Sequence, residues 1–173
     1  MPDFPLQAQW FTTKQKRRVS GDKLMPEATT HILRVTLADE HSIYRDIEIP
    51  SAKSLYDLAN GIVSAFDFDF DHAFGFYSGL TSRTMMEKDP KYELFADMGE
   101  ETDALSVKKT RIAEAFPKVG HKMLFLFDYG DEWLFRVEVI GLGKKVARSR
   151  YPKIVASVGA SPQQYPDMDD EEE

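Results

Sequence analysis

Hydrophobic and polar positions alternate most regularly between Lys122 and Ile140. Met123, Phe125 and Phe127 interleave with Leu124, Leu126 and Asp128. After a short polar turn, Trp133, Phe135, Val137 and Val139 alternate with Leu134, Arg136, Glu138 and Ile140. Period two on both sides of a Gly/Asp turn predicts a β-hairpin, the densest apolar stretch of the chain. Its first strand is apolar on both faces, which suits a central strand. Its second is polar on one face, which suits a place nearer the sheet edge.

The same reading extends upstream. His31 to Leu37 and Ser42 to Ile49 form a second hairpin, the latter strand alternating Ile43, Arg45, Ile47 and Ile49 against Tyr44, Asp46 and Glu48. Pro50 ends it because proline cannot donate to a ladder. Ser54 opens a helix whose apolar stripe is Leu55, Leu58, Ala59, Ile62 and Phe66, with Ser54 and Asp57 spaced as a capping pair. Gly61 inside that helix costs about 1 kcal/mol relative to Ala, which predicts a close approach of the helix to the sheet. A strand is expected over 73–77, an irregular insertion over 79–104, and a short helix from Thr110 to Phe116, capped by Thr110. Loops of that length inside a compact domain invite functional suspicion. The order β-β-α-β-insertion-α-β-β predicts an α+β fold. A mixed sheet with one principal helix across it would be β-grasp-like. Residues 1–29 read as a polar and basic segment, 30–145 as the domain, and 146–173 as a C-terminal extension with an acidic tail.

Composition narrows the classes. With 173 residues, 42% hydrophobic and 12% aromatic, the chain can bury a core, so wholesale disorder is excluded. The absence of cysteine removes disulfides, thiolate nucleophiles and thiolate zinc sites, and fits a reducing cytoplasm. No apolar run nears the roughly 18 residues that span a bilayer. The opening residues lack the basic-then-apolar order of a secretory signal. A soluble, cytoplasmic protein without membrane contact is expected. Six acids among the last seven residues account for most of the net charge of −7. Basic residues collect at Lys14, Lys16, Arg17 and Arg18, beside Trp10 and Phe11, and again at Lys144, Lys145, Arg148 and Arg150. The near-neutral body argues against a nucleic-acid footprint spread over the whole domain.

The segment Phe127-Asp128-Tyr129-Gly130-Asp131-Glu132-Trp133 is similar to the Tyr-Asp-Phe-Gly-Asp-x-Trp motif of the plasmid pRiA ORF-3-like family, also met as passenger proteins of mobile elements. Ile43 to Pro50 resembles that family's strand before the helix, Leu55 to Phe66 its helix, and Phe70-Asp71-His72-Ala73-Phe74 the step after it. Arg150-Tyr151-Pro152 with Gly159 and Pro162 resembles its C-terminal segment. The resemblance spans roughly residues 30–166 and implies a small α+β domain with no established biochemical activity. Phe135 stands where many members carry His, and the cysteine of some members' C-terminal segment is missing.

Candidate chemistry gathers in two places. Asp128, Tyr129, Gly130, Asp131 and Trp133 surround the hairpin turn. There the aspartates either bond the backbone N–H groups of their own turn or wall an acidic, aromatic pocket for a cationic or peptide partner. A catalytic carboxylate pair is a third reading. Asp67, Asp69, Asp71 and His72 form either a solvated acidic turn or oxygen and nitrogen ligands for a divalent cation, although the calcium-loop pattern is missing. His31, His41 and His121 have no ligand spacing. No phosphate-cradling loop or nucleophile elbow is present, so no cofactor is expected.

The expected function is a non-enzymatic binding module for a protein or peptide. It would use Asp128, Tyr129, Gly130, Asp131, Trp133, Asp71 and His72. The alternatives are a nucleic-acid-associated accessory protein and a metal-dependent hydrolase using the Asp/His cluster.

Overall fold

The computed structural model describes residues 29–166. The basic run at 14–18, the neighbouring Trp10 and Phe11, and the acidic tail from Asp167 onward lie outside the described residues. β1 (Thr29–Leu37) and β2 (Tyr44–Pro50) form the first hairpin, and α1 (Leu55–Ala65) follows. Next come β3 (Phe74–Tyr77), β4 (Lys91–Glu93), β5 (Leu105–Ser106), α2 (Ile112–Ala115), β6 (Lys122–Phe127), β7 (Trp133–Lys144) and β8 (Lys153–Val158). All eight strands join one mixed sheet, ordered β5-β4-β3-β6-β7-β1-β2-β8. The fold is sheet-dominated α+β with one principal helix. No helix among the described residues is long and apolar enough to cross a membrane.

The stripe read from the sequence is the packing face of α1: Leu55, Leu58, Ala59, Ile62 and Phe66 are all fully buried. They meet Leu33, Val35, Ile47, Phe125, Phe135, Val137 and Val139 from the strands. Alternation along each strand sends those side chains to the helix side. Ser54 caps α1 reciprocally with Asp57, the Ser54 Oγ accepting from Asp57 N and the Asp57 carboxylate from Ser54 N, both at 3.1 Å.

Four expectations are corrected. β7 is a central strand between β6 and β1. Its polar face, Arg136 and Glu138, lies on the side of the sheet that α1 leaves open, so one-sided polarity here marks an open face. The close approach at Gly61 is made by Pro152 of the C-terminal segment, whose Cγ lies 3.1 Å from the place a Cβ would take. The insertion contains two 3-10 turns (Met85–Glu87 and Leu94–Asp97) and β4, which pairs with β3. Thr110 does not cap α2; its hydroxyl donates to the Ser106 carbonyl, and Glu114 accepts from the Arg111 N–H instead.

The open face carries its own small core. Tyr77, Met85, Leu124 and Leu126 cluster there, with Tyr129 and Leu134 at the margin. Met85 belongs to the insertion, which therefore explains why β6 is apolar on both faces. Phe135 is fully buried and packs 4.8 Å from Phe66, so this position is part of the core.

Candidate functional site

The loop from α1 to β3 and the β6–β7 turn meet at one end of the sheet. Asp67 takes a left-handed backbone conformation, φ 59°, and turns the chain so that Phe68 and Phe70 face inward. Phe68 meets Trp133 at 4.8 Å, and Phe70 stacks on Phe127 at 6.1 Å. Asp67 and Asp69, which alternate with these rings, are exposed.

Asp128 opens the hairpin turn with φ 63°. Its Oδ1 accepts from Gly130 N at 2.9 Å and Asp131 N at 3.3 Å, and its own N–H donates to Ala73 O. The turn is therefore held by its own carboxylate, and that carboxylate is almost fully buried. Its second oxygen lies 3.5 Å from His72 Nε2, while His72 Nδ1 is 2.7 Å from Asp71 Oδ1. His72 is thus placed between two carboxylates. The hydrogen bond to Asp71, then the charges of Asp128 and Asp131, raise its pKa above 6.5. An imidazolium is the form that donates from both ring nitrogens.

Two residues from the far end of the chain complete the arrangement. Tyr165 donates its hydroxyl to Asp71 Oδ2 at 2.7 Å. That bond is the main cause of the lowered Asp71 pKa and pushes the Tyr165 phenol up to about 12. Gln164 pairs with the backbone of Asp69 through both ends of its amide, at 2.6 and 3.1 Å. Asp67 accepts from Ser161 at 3.2 Å. Residues 161–165 are therefore a strap laid along residues 67–72. Nothing in the sequence near Gln164 and Tyr165 announces this, because their partners lie more than 90 residues away.

The sequence-derived site residues separate into three groups. Asp71, His72 and Asp128 come together, and Asp131 adds charge beside them. Gly130 serves through its N–H. Tyr129 leaves for the open face, where its hydroxyl meets that of Tyr77 at 2.7 Å and its ring packs on Phe95. Burial raises the Tyr129 pKa to about 12. Trp133 packs against Phe68, and its indole N–H is buried with no acceptor among the described residues. The Asp67, Asp69, Asp71 and His72 set does not converge as a whole: Asp71 and His72 bond each other, while Asp67 meets Ser161 and the Asp69 backbone meets Gln164. Among the described residues no group of three or more His, Asp or Glu is placed to hold a metal ion.

Beside the His72 cluster lies a cleft of about 300 Å³, lined by Tyr56, Phe70, Phe74, Leu94 and Met98, with Asp71 and His72 at its rim. Met98 is 61% exposed and comes from the insertion. One wall is therefore α1 and the other is the segment that composition alone left without structure. Lys108 lies 5.1 Å over the Tyr56 ring.

The family model of the plasmid pRiA4b ORF-3-like proteins matches residues 29–167. No curated protein matches the chain. A crystal structure of a protein of unknown function from Methanosarcina mazei Go1 superposes with a TM-score of 0.62 at 21% identity, covering 78% of this chain and 72% of that one. At that identity the likeness speaks to the fold. The chain belongs to the plasmid pRiA4b ORF-3-like family.

Proposed function

We propose that this member of the pRiA4b ORF-3-like family is a binding module that captures a basic polypeptide segment in the cleft beside His72. The observation that carries this reading is the juxtaposition of an apolar cleft with an ionised rim. Tyr56, Phe70, Leu94 and Met98 offer an aromatic and thioether surface of the kind that anchors a side chain. At its rim Asp71 is exposed, Asp128 stands behind it, and the charge of Asp131 acts on His72 beside it. The positive charges of His72 and of Lys108 over Tyr56 offset only part of theirs, so the local field favours a cation. His72 itself is committed to Asp71 and Asp128 and serves as a brace for the rim.

Selection of a random peptide library against the immobilised protein is expected to enrich sequences that combine Lys or Arg with an aromatic or aliphatic anchor. Titration of an enriched peptide into Met98→Asp and Asp71→Asn proteins should weaken binding by about tenfold or more each, the loss of one good contact. The reading is overturned if no such peptides are enriched, or if their binding ignores both substitutions.

A further inference from the structure

β8 is the outermost strand of the sheet, with β2 on one side and no strand on the other among the described residues. Such an edge presents a row of unpaired N–H and C=O groups, which proteins ordinarily blunt with charges, bulges or proline. β8 carries two such devices, Lys153 at its first position and a bulge at Val155, yet keeps an exposed aliphatic surface. Ile154, Val155 and Val158 are exposed at 54%, 51% and 41%. Ile154 lies opposite Ile47 on the helix side, Val158 lies opposite Tyr44 on the open side, and the register shifts at Val155 between them. The strand's single charge, Lys153, sits at its first position with its ammonium 4.9 Å over the Tyr151 ring.

The approach to this edge is strongly basic. Residues 144–153 contain Lys144, Lys145, Arg148, Arg150 and Lys153 and no acid. Lys144 pairs with Thr29 on β1 and Lys153 with Glu48 on β2, so the stretch crosses the end of both strands to reach the edge. Where it arrives, Tyr151 and Pro152 line a cleft of about 410 Å³ with Pro50, Lys53, Asn60 and Ser64. Pro152 there touches α1 at Gly61. An open ladder, exposed aliphatic side chains and a run of cations thus adjoin one another, on a different part of the molecule from the His72 cleft.

We infer that β8 is a strand-addition site for an acidic, extended polypeptide segment. The guest backbone would complete the ladder, its apolar side chains would cover Ile154, Val155 and Val158, and its carboxylates would meet the 144–153 cations. A nucleic acid would use the cations but has nothing to pair with a β-ladder. A second copy's β8 would pair with the ladder, but residues 153–158 themselves carry no acid to set against the cations. An acidic polypeptide answers all three features.

The test uses the full chain and the synthetic peptide acetyl-(Glu-Val)3-amide as probe, with amide exchange read residue by residue. Saturating peptide is expected to slow exchange across 153–158 by about tenfold or more, and Lys145→Glu/Arg148→Glu to weaken the peptide by about tenfold or more, each tenfold being 1.4 kcal/mol. High salt should act in the same direction. Both substituted residues are exposed, so an unchanged melting temperature confirms folding. The lysine counterpart, acetyl-(Lys-Val)3-amide, should leave β8 unprotected. The inference is overturned by protection that avoids β8, by indifference to the charge reversal, or by equal protection from the lysine peptide. It is equally overturned if a single-stranded oligonucleotide displaces the acidic peptide. Concentration-dependent protection of β8 without any peptide would make the occupant a second copy and overturn it too.

Discussion

Arg45 ties several elements together. It is 4% exposed, and its guanidinium donates to Ala65 O at the end of α1, to Tyr44 O and Val158 O, and to Ser161 Oγ, all at 2.9–3.0 Å. It also lies 4.8 Å over the Phe66 ring. One side chain thus closes the last turn of the helix, holds β8 to β2 and starts the strap that ends at Asp71. The alternation of Ile43, Arg45, Ile47 and Ile49 already places Arg45 on the buried face. What it bonds there was not legible, because the acceptors are backbone carbonyls that carry no sequence signal. Arg45→Met leaves those carbonyls buried without donors and should cost on the order of 3 kcal/mol. Arg45→Lys should recover little, since an ammonium cannot reproduce the planar fork. Urea unfolding of the three proteins decides it: equal midpoints would mean that Arg45 is a passenger.

At the scale of elements, the insertion is where reading by pattern ends and tertiary contact takes over. A three-residue strand such as β4 cannot show a period, and its partner β3 is only four residues long. What fixes the insertion is a side-chain chain. Tyr77 donates to Glu93 at 2.8 Å, Thr102 donates to the other Glu93 oxygen at 2.9 Å, and Tyr129 joins at the Tyr77 hydroxyl. Gly75 makes this possible, because a Cβ there would stand 2.8 Å from the Tyr77 hydroxyl and 2.9 Å from its ring. Gly75→Ala should therefore displace the ring and cost about 1–3 kcal/mol, the usual penalty of overfilling a packed site. The loss should appear first as faster amide exchange across 91–106, since the insertion is held by this network more than by its ladder. Exchange that rises uniformly, or not at all, would show that the insertion is held by something else. The hairpins and α1, by contrast, were readable because each is long enough for its periodicity to repeat. The candidate site was half readable for the same reason: the turn at Asp128 and the Asp71-His72 step are local. The strap that closes on them comes from a segment of prolines and small residues whose pattern points nowhere.

For the whole molecule, His31 and His121, both lowered by burial, oppose His72, raised by its carboxylates, and the sum of their dependences on pH is measurable. His31 is buried between Ser51 Oγ at 2.7 Å and the Phe116 carbonyl at 2.8 Å. Since Nε2 must donate to that carbonyl, Nδ1 accepts from the serine, which requires the neutral ring. Burial accordingly lowers its pKa from 6.5, so the unfolded chain takes up a proton before the folded one does. This site leaves stability untouched above about pH 6.5 and erodes it as pH falls through that value toward the folded pKa. His72 has the opposite sign. Its pKa is raised above 6.5 by Asp71 first and Asp128 next, so its contribution is complete below about pH 6.5 and is lost as pH rises through the folded pKa. Because His72 is exposed and screened by solvent, its limb should be the shallower of the two. Melting temperature against pH is then expected to show a maximum, with a steep side below about pH 6.5 and a gentle side above it. His31→Gln should reduce the acid slope to the part that the lowered pKa of His121 supplies and leave the alkaline side, and His72→Gln should flatten the alkaline side and leave the acid side. If His72→Gln instead flattens the acid side, the imidazole is neutral in the folded protein. The rim of the cleft would then be more negative than the geometry implies, and the cleft would favour its cationic guest more strongly still.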